Sequence, residues 1–399
     1  MKIFFYRYGS ICEPDIIYGF KLLGFVIDEC DIEMDINNKS LDIKTYIDYV
    51  YPKLMNNNYS FVFTINYYPW ISKLCDILKI TYISLIVDSP VLELYSDTIT
   101  NSVNRIFLFD YALYDEFHKF NPKGIFHVPL YANTDRLDAF LEGIDEDTRA
   151  KYRSDISFVG STYEEKNVYS LDNFDDYHKG FHDSLIDAQE NLYGQFILDK
   201  AINKDFVKYF AKHINNIYKF PEGTRKNNEA LIAQNYLAYR VTERERKTVL
   251  KRLSKEFNVD VYTRSNVSML PDIKYHEGAL TLTEMPVIFH ESKINLNITS
   301  KAIRSGLPLR LFDSLGCSGF TITNYQEEIF NYFTNGYDLV VYESYDHLLE
   351  LCRYYLEHED ERAEIAKNGH DKVKKYHNIT IRLLEILDKA FPKKETMIS

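Results

Sequence analysis

Two arginines and an aspartate straddle a single turn within SKINLNITSKAIRSGLPLRLFDSLGCSGFTITNY, the stretch from Ser292 to Tyr325. Arg304 and Arg310 flank Gly306-Leu307-Pro308, and Asp313 follows one helical turn into the run that begins at Leu309. Guanidinium groups grip phosphate oxygens through paired N–H donors. A glycine turn admits a ligand close to the backbone, and the N-terminus of the next helix favours a negative group. A carboxylate one turn further on suits ribose hydroxyls. The segment has the makings of a nucleotide site: Arg304 and Arg310 for the phosphates, the backbone N–H groups of Gly306 and Leu307 beside them, and Asp313 for the ribose. An ordinary strand–helix turn would also contain Gly and Pro; the two arginines and the acid set this one apart.

These residues need a scaffold of alternating strands and helices. Apolar runs at Lys2–Tyr6, Gly24–Glu29, Phe61–Ile65, Tyr82–Val87, Arg105–Leu108 and Ile125–Val128 read as strands, with helical periods such as Pro14–Leu23, Ile43–Met55 and Trp70–Lys79 between them. Several runs are almost wholly apolar, as in a parallel sheet buried on both faces. A second series opens with DISFVG at Asp155, followed by Gly160-Ser161-Thr162, where a first strand–helix loop would approach the phosphates. It resumes at Val259–Tyr262, Lys293–Ile298, Phe320–Thr323 and Leu339–Tyr342. Tyr262 and Thr263 end one of these strands, and the loop Tyr275–Pro286 is placed to frame a base.

The expected class is α/β, with two Rossmann-like doubly wound domains and a helical elaboration in the second. The expected boundaries are 1–145, 150–379 with a helical insert at about 163–256, and a last helix in 380–399 that could cross back to the first domain. A chain of 399 residues exceeds one typical core, in keeping with two domains. The formal charge of −12 argues against nucleic acid as a partner. Five scattered cysteines without CxxC spacing suit a reduced, cytoplasmic setting rather than disulfides or zinc. MKIFFYRYGS reaches Arg7 too soon for a signal peptide and reads as a buried first strand, and no run has the length of a membrane span. The 33 tyrosines fit codon bias better than a sugar-binding surface.

SGLPLRLFDSLGCSGFTITNYQEEI, followed by VVYESYDHLLELCRYYLEHEDERAEIAKNGHDKVKKYH, resembles the C-terminal half of the CgeB-like glycosyltransferases, a GT-B group related to the spore maturation protein. FVFTINYYPWIS, YISLIVDSPVLELYS, NRIFLFDYALYDEFHKF and DISFVGSTYE extend the resemblance over nearly the whole chain. It implies two Rossmann-like domains facing across a cleft, with a nucleotide-sugar donor, UDP-linked first among the options, in the C-terminal domain. A protein, glycan or cell-surface acceptor would lie in the N-terminal domain, with no cofactor and no metal required. Related enzymes carry two glutamates eight positions apart; here Asp313 stands at the second and Ser305 near the first.

Under that resemblance Gly160, Ser161, Thr162, Tyr262, Thr263, Arg304, Gly306, Leu307, Arg310 and Asp313 form the donor site, and Glu327, with Glu328 beside it, could meet donor-sugar hydroxyls. Glycosyl transfer also needs a base for the acceptor hydroxyl. Asp88 follows the apolar strand YISLIV and is the first candidate, ahead of Glu13, Asp15 and Asp110, each of which could instead be a cap. Two rivals stay open. A nucleotide-sugar epimerase of the same fold would turn over donor without an acceptor, and a silent nucleotide-sugar-binding protein would be indifferent to loss of Asp88 and Glu13.

Overall fold

The computed structural model describes residues 1–34 and 41–392, and among them it contains two parallel six-stranded sheets. The chain divides into two compact units. One comprises Met1–Asn133, Glu222–Arg225 and His377–Ser399; the other comprises Thr134–Pro221 and Lys226–Tyr376.

The first unit holds β1 (Lys2–Tyr6), β2 (Val26–Cys30), β3 (Val62–Ile65), β4 (Tyr82–Leu85), β5 (Asn104–Leu108) and β6 (Ile125–His127), in the order β2-β1-β3-β4-β5-β6. Ile3, Phe4, Phe5 and Tyr6 of β1, and all of β3 and β4, are buried, as a parallel sheet covered on both faces requires. Phe5 and Phe20 both pack edge-on against Phe63, 5.3 and 5.1 Å between centroids. Strand order reverses between β1 and β3. In an open α/β sheet that switch point, at the carboxyl ends of the strands, is where ligands bind.

Two distant segments complete this unit. The helix Ile379–Ala390, capped by Asn378 through Thr380 N (3.0 Å), lies against the helix Glu13–Leu22. Gly19 makes the approach possible: a Cβ there would stand 2.6 Å from Leu383 Cδ1. Glu222–Arg225 forms a short strap. Asp97 N donates to Gly223 O (3.0 Å), Arg225 N donates to Tyr95 O (2.9 Å), and the Arg225 guanidinium lies 3.7 Å from the centre of the Phe120 ring.

The second unit holds β7 (Ser154–Val159), β8 (Val259–Thr263), β9 (Lys274–Glu277), β10 (Ser292–Asn297), β11 (Thr321–Asn324) and β12 (Val340–Tyr342), in the order β12-β11-β10-β7-β8-β9. Counted from β7, this is the dinucleotide-binding order, with its switch point between β7 and β10. Ile156, Phe158, Val261, Ile294, Leu296 and Ile322 of the sheet pack with Val249, Leu250 and Leu253 of the helix Ala238–Leu253. Between β7 and β8 the chain is largely helical, through Asp176–Glu190, Lys204–His213 and a π-turn (Ile232–Leu237) that runs into Ala238–Leu253.

Part of the stretch expected as a loop at Tyr275–Pro286 is ordered otherwise. Residues 274–277 form β9, paired with β8 at Asp260↔Lys274 through Thr263↔Glu277, and Pro286 sits in the first turn of the helix Met285–Glu291. As an edge strand, β9 is mostly exposed, so its residues KYHE carry no apolar signature.

Candidate active site

In the second unit, β7 delivers Gly160 to the switch point with φ +149°, and Gly160 N donates to Tyr262 O (2.9 Å). The guanidinium of Arg310, from the first turn of the helix Leu309–Gly316, lies against this glycine. A Cβ on Gly160 would stand 2.9 Å from Arg310 Nη1 and 3.0 Å from Cζ. Arg246 comes in from the helix Ala238–Leu253. Its Nη1 donates to Ser161 O (2.6 Å), and its Nε and Nη2 donate to Ile298 O (3.1 and 2.5 Å), which ties the ends of β7 and β10 together.

Among the described residues neither arginine forms an ion pair with a carboxylate, and Arg310 Nε is buried without a hydrogen-bond partner. Burial first, and the Arg246 charge second, pull the Arg310 guanidinium down to about 10; burial also lowers Arg246. Two guanidinium groups brought together without an ion-paired carboxylate among the described residues favour an anion beside them. Lys301, in the loop after β10, is committed to the fully buried Glu245 (3.3 Å).

Other groups converge on the same place. Pro308 offers the helix Leu309–Gly316 no side-chain cap, which leaves its positive end for a ligand. The N–H groups of Gly306 and Leu307 have no acceptor among the described residues, while Gly306 O accepts from Gln326 Nε2 (3.4 Å). Thr162 is fully buried, its N–H bonded to Ser265 Oγ (2.8 Å) and its Oγ1 unpartnered. Ser161 Oγ donates to Glu165 and accepts from Tyr163 N (2.7 Å), so it shapes the loop. Arg304 is partly buried in the loop before the helix, and Asp313 lies one turn inside it.

Three expected donor residues sit differently. Tyr262 is buried with its ring stacked on His276 (4.2 Å, 8°), and Thr263 is buried with Oγ1 accepting from Ser265 N (3.1 Å), so neither presents a face to a base. Glu327 is exposed and lines a separate cavity of about 540 Å³ with Tyr193, Gln195 and Tyr325. Its neighbour Glu328 is the carboxylate that reaches the loop before the helix Leu309–Gly316, accepting from Ser305 Oγ (2.8 Å). Arg246 fell inside the stretch at about 163–256 read only as a helical insert, although 242, 246, 249 and 253 follow the buried helical stripe.

In the first unit, Asp88 stands exposed beyond the end of β4, oriented by Asn66. Asn66 has φ +59°, and its Nδ2 donates to Asp88 Oδ2 (2.7 Å) and Tyr8 OH (3.1 Å). Its Oδ1 accepts from Val87 N (3.1 Å) and Asp88 N (3.4 Å). A left-handed asparagine whose amide ties Tyr8, the Val87 and Asp88 backbone and the Asp88 carboxylate together marks a built position. Glu13, in contrast, is consumed by the fold. Its Oε1 accepts from Tyr8 N, Gly9 N and Ser10 N (2.9, 2.9 and 3.0 Å), and its Oε2 accepts from Arg7 Nε (2.9 Å). Asp15 is buried against Asn133 Nδ2 (2.8 Å), and Asp110 caps the helix Tyr111–His118 through Ala112 N (3.1 Å). A catalytic role for Glu13 or Asp15 conflicts with this engagement; Asp88 alone of the three expected bases faces solvent.

Among the described residues no group of three or more His, Cys, Asp or Glu side chains is arranged to hold a metal, and no helix is long and apolar enough to cross a membrane. Residues 244–388 match the family model described as Glycosyl transferase-like, a span that includes Arg246, Arg304, Arg310 and Asp313. No curated protein matches the sequence. Among solved structures, the chain is similar to sucrose-phosphate synthase from Thermosynechococcus elongatus (10% identity, TM-score 0.55, 98% of each chain covered). It is also similar to a glycosyltransferase from Rickettsia africae ESF-5 (12%, TM-score 0.53, 98% of this chain and 99% of that one). Anabaena HepE in complex with UDP-glucose is a third (11%, TM-score 0.53, 97% and 98%). With two parallel Rossmann-like sheets and these neighbours along nearly its full length, the chain has the GT-B fold, and its residues 244–388 form a glycosyl transferase-like region.

Proposed function

We propose that this protein is a GT-B glycosyltransferase, CgeB-like in type, that moves a sugar from a nucleoside diphosphate to the hydroxyl of a protein, glycan or cell-surface acceptor. The observation that carries the proposal is the Arg310 guanidinium against the Gly160 loop at the β7/β10 switch point, beside Arg246 and, like it, without an ion-paired carboxylate among the described residues. UDP is the favoured nucleotide because HepE, of the same fold, is seen with UDP-glucose. Five buried cysteines, none of them in a disulfide, favour the cytoplasm.

Arg310, the uncapped helix end and the Gly306 and Leu307 amides take up charge as the diphosphate leaves, the work a metal does in other transferases. Arg304 assists at the phosphates and Asp313 holds the ribose. Asp88 accepts the proton of the attacking hydroxyl as the new glycosidic bond forms, with Asn66 fixing its orientation. The unit built on Met1–Asn133 with its two returning segments takes the acceptor, and the unit of Thr134–Pro221 and Lys226–Tyr376 takes the donor.

The test is a thermal-shift panel of nucleotides and nucleotide sugars, with and without EDTA, on wild type, Asp313→Ala and Arg310→Gln. A rise in Tm with one UDP-sugar, unchanged by EDTA and lost in both variants, supports the donor site. Absence of any shift overturns it. Turnover of donor without an acceptor would favour an epimerase, and binding without turnover a silent protein.

A further inference from the structure

The switch point of the first unit, between β1 and β3, is built from aromatic side chains. Tyr6 ends β1 and is fully buried, its hydroxyl bonded to Glu33 (2.7 Å) and its ring edge-on to Tyr68 (5.2 Å) and Trp70 (5.3 Å). On that foundation Tyr8, Tyr46, Tyr68 and Trp70 remain partly exposed, with Trp70 stacked on Tyr46 (6.3 Å, 20°) and Tyr68 next to Tyr8 (6.3 Å). The row continues from Tyr8 OH through Asn66 to Asp88.

Such a row is amphipathic in one direction. Aromatic faces suit the C–H face of a ring, while phenols, an amide and a carboxylate lie within reach of its hydroxyls. Its charge also discriminates. Among the described residues Arg7 is engaged by Glu13 (2.9 Å) and Glu29 (2.5 Å), and the carboxylates of Glu33 and Asp88 at the two ends of the row disfavour an anionic ligand. We infer that the aromatic row from Trp70 to Tyr8 binds a neutral carbohydrate, the acceptor, and presents one of its hydroxyls to Asp88. This rests on the transferase proposal and narrows its acceptor from protein, glycan or polymer to an uncharged sugar.

Trp70 is the only tryptophan in the chain, so its emission reports on the row directly. Full-length protein without donor would be titrated with neutral disaccharides (maltose, cellobiose, lactose), with a hexuronic acid and with a short alkyl alcohol. A saturable change of Trp70 emission with a neutral sugar, insensitive to salt, is the expected result. Response only to the acid or the alcohol, or none to any neutral sugar at its solubility limit, overturns the inference. Trp70→Phe and Tyr46→Ala should raise acceptor KM ten-fold or more while the Tm rise with UDP-sugar persists, which verifies folding and donor binding apart from the acceptor. An unchanged acceptor KM in both overturns the inference even where the donor site holds, and loss of the UDP-sugar response in wild type speaks against the donor site alone.

Discussion

Arg310 rests its guanidinium on Gly160, so close that the glycine has no room for a methyl group. Gly160→Ala would meet that contact and a φ of +149° together, at a cost of about 1–3 kcal/mol. The expected outcome is a folded protein with a lower Tm and at least ten-fold weaker UDP-sugar binding by calorimetry, because the arginine must move to admit the methyl group.

Arg310→Gln should separate stability from binding. The wild-type side chain is held charged beside Arg246 without a counter-ion, so its loss should raise the Tm of the ligand-free protein by a few degrees, about 1 kcal/mol. The same change should abolish the UDP shift. A drop in Tm would show that Arg310 supports the fold instead.

The lowered ionisation of Arg310 also has a sign in pH. Its charged form binds the diphosphate, and a bound diphosphate offsets the burial and the Arg246 repulsion that pull it to about 10. UDP affinity should therefore fall as pH rises through about 10, with proton uptake on binding at that end of the range. Below that range Arg310 contributes no slope, and in Arg310→Gln the slope should vanish. Calorimetry in buffers of different ionisation enthalpy measures it.

Asp88→Asn should lower kcat by about 10²–10⁴ with the UDP shift intact. Asn66→Gly keeps the left-handed backbone and removes the amide, so a loss of about ten-fold in kcat at nearly unchanged Tm identifies Asn66 as a positioning residue. An unaffected rate in Asp88→Asn would remove the base.

Glu13 should behave as a structural residue. Glu13→Ala leaves Arg7 with Glu29 alone and three backbone N–H groups without their acceptor, a loss of about 3–5 kcal/mol visible in thermal melts. Glu13→Gln retains an acceptor oxygen and should keep most of the activity. Abolished turnover in a stable Glu13→Gln protein would reinstate Glu13 as a base.

Every strand but β9 was legible, most of them as short apolar runs flanked by helical periods; β1 and the helix Ile43–Met55 keep the bounds read from sequence. The helix Met285–Glu291 follows a polar loop and is only seven residues long, too short to show a period. Arg310 could be nominated from its place after a Gly-Pro turn, but its partner Arg246 lies 64 positions earlier in RVTERERK, which reads as a solvated face. The stacking of Tyr262 on His276 was not legible, because His276 lies on β9, a strand with no local signal. The aromatic row was hidden for a different reason. Its rings come from three separate segments of a tyrosine-rich chain, brought together by the β1/β3 pairing and by the packing of the helix Ile43–Met55 on Pro69–Leu78.

The strap Glu222–Arg225 has a consequence for how the polypeptide can be cut. Together with the last helix it makes the backbone pass between the two compact units four times, at residues 133/134, 221/222, 225/226 and 376/377. Neither unit is one uninterrupted length of gene. A fragment ending at Asn133 would lack the helix that covers Gly19 and the residues that cover Tyr95 and Phe120, so it should be recovered insoluble. A nick within 214–220 should leave both pieces held together and melting as one.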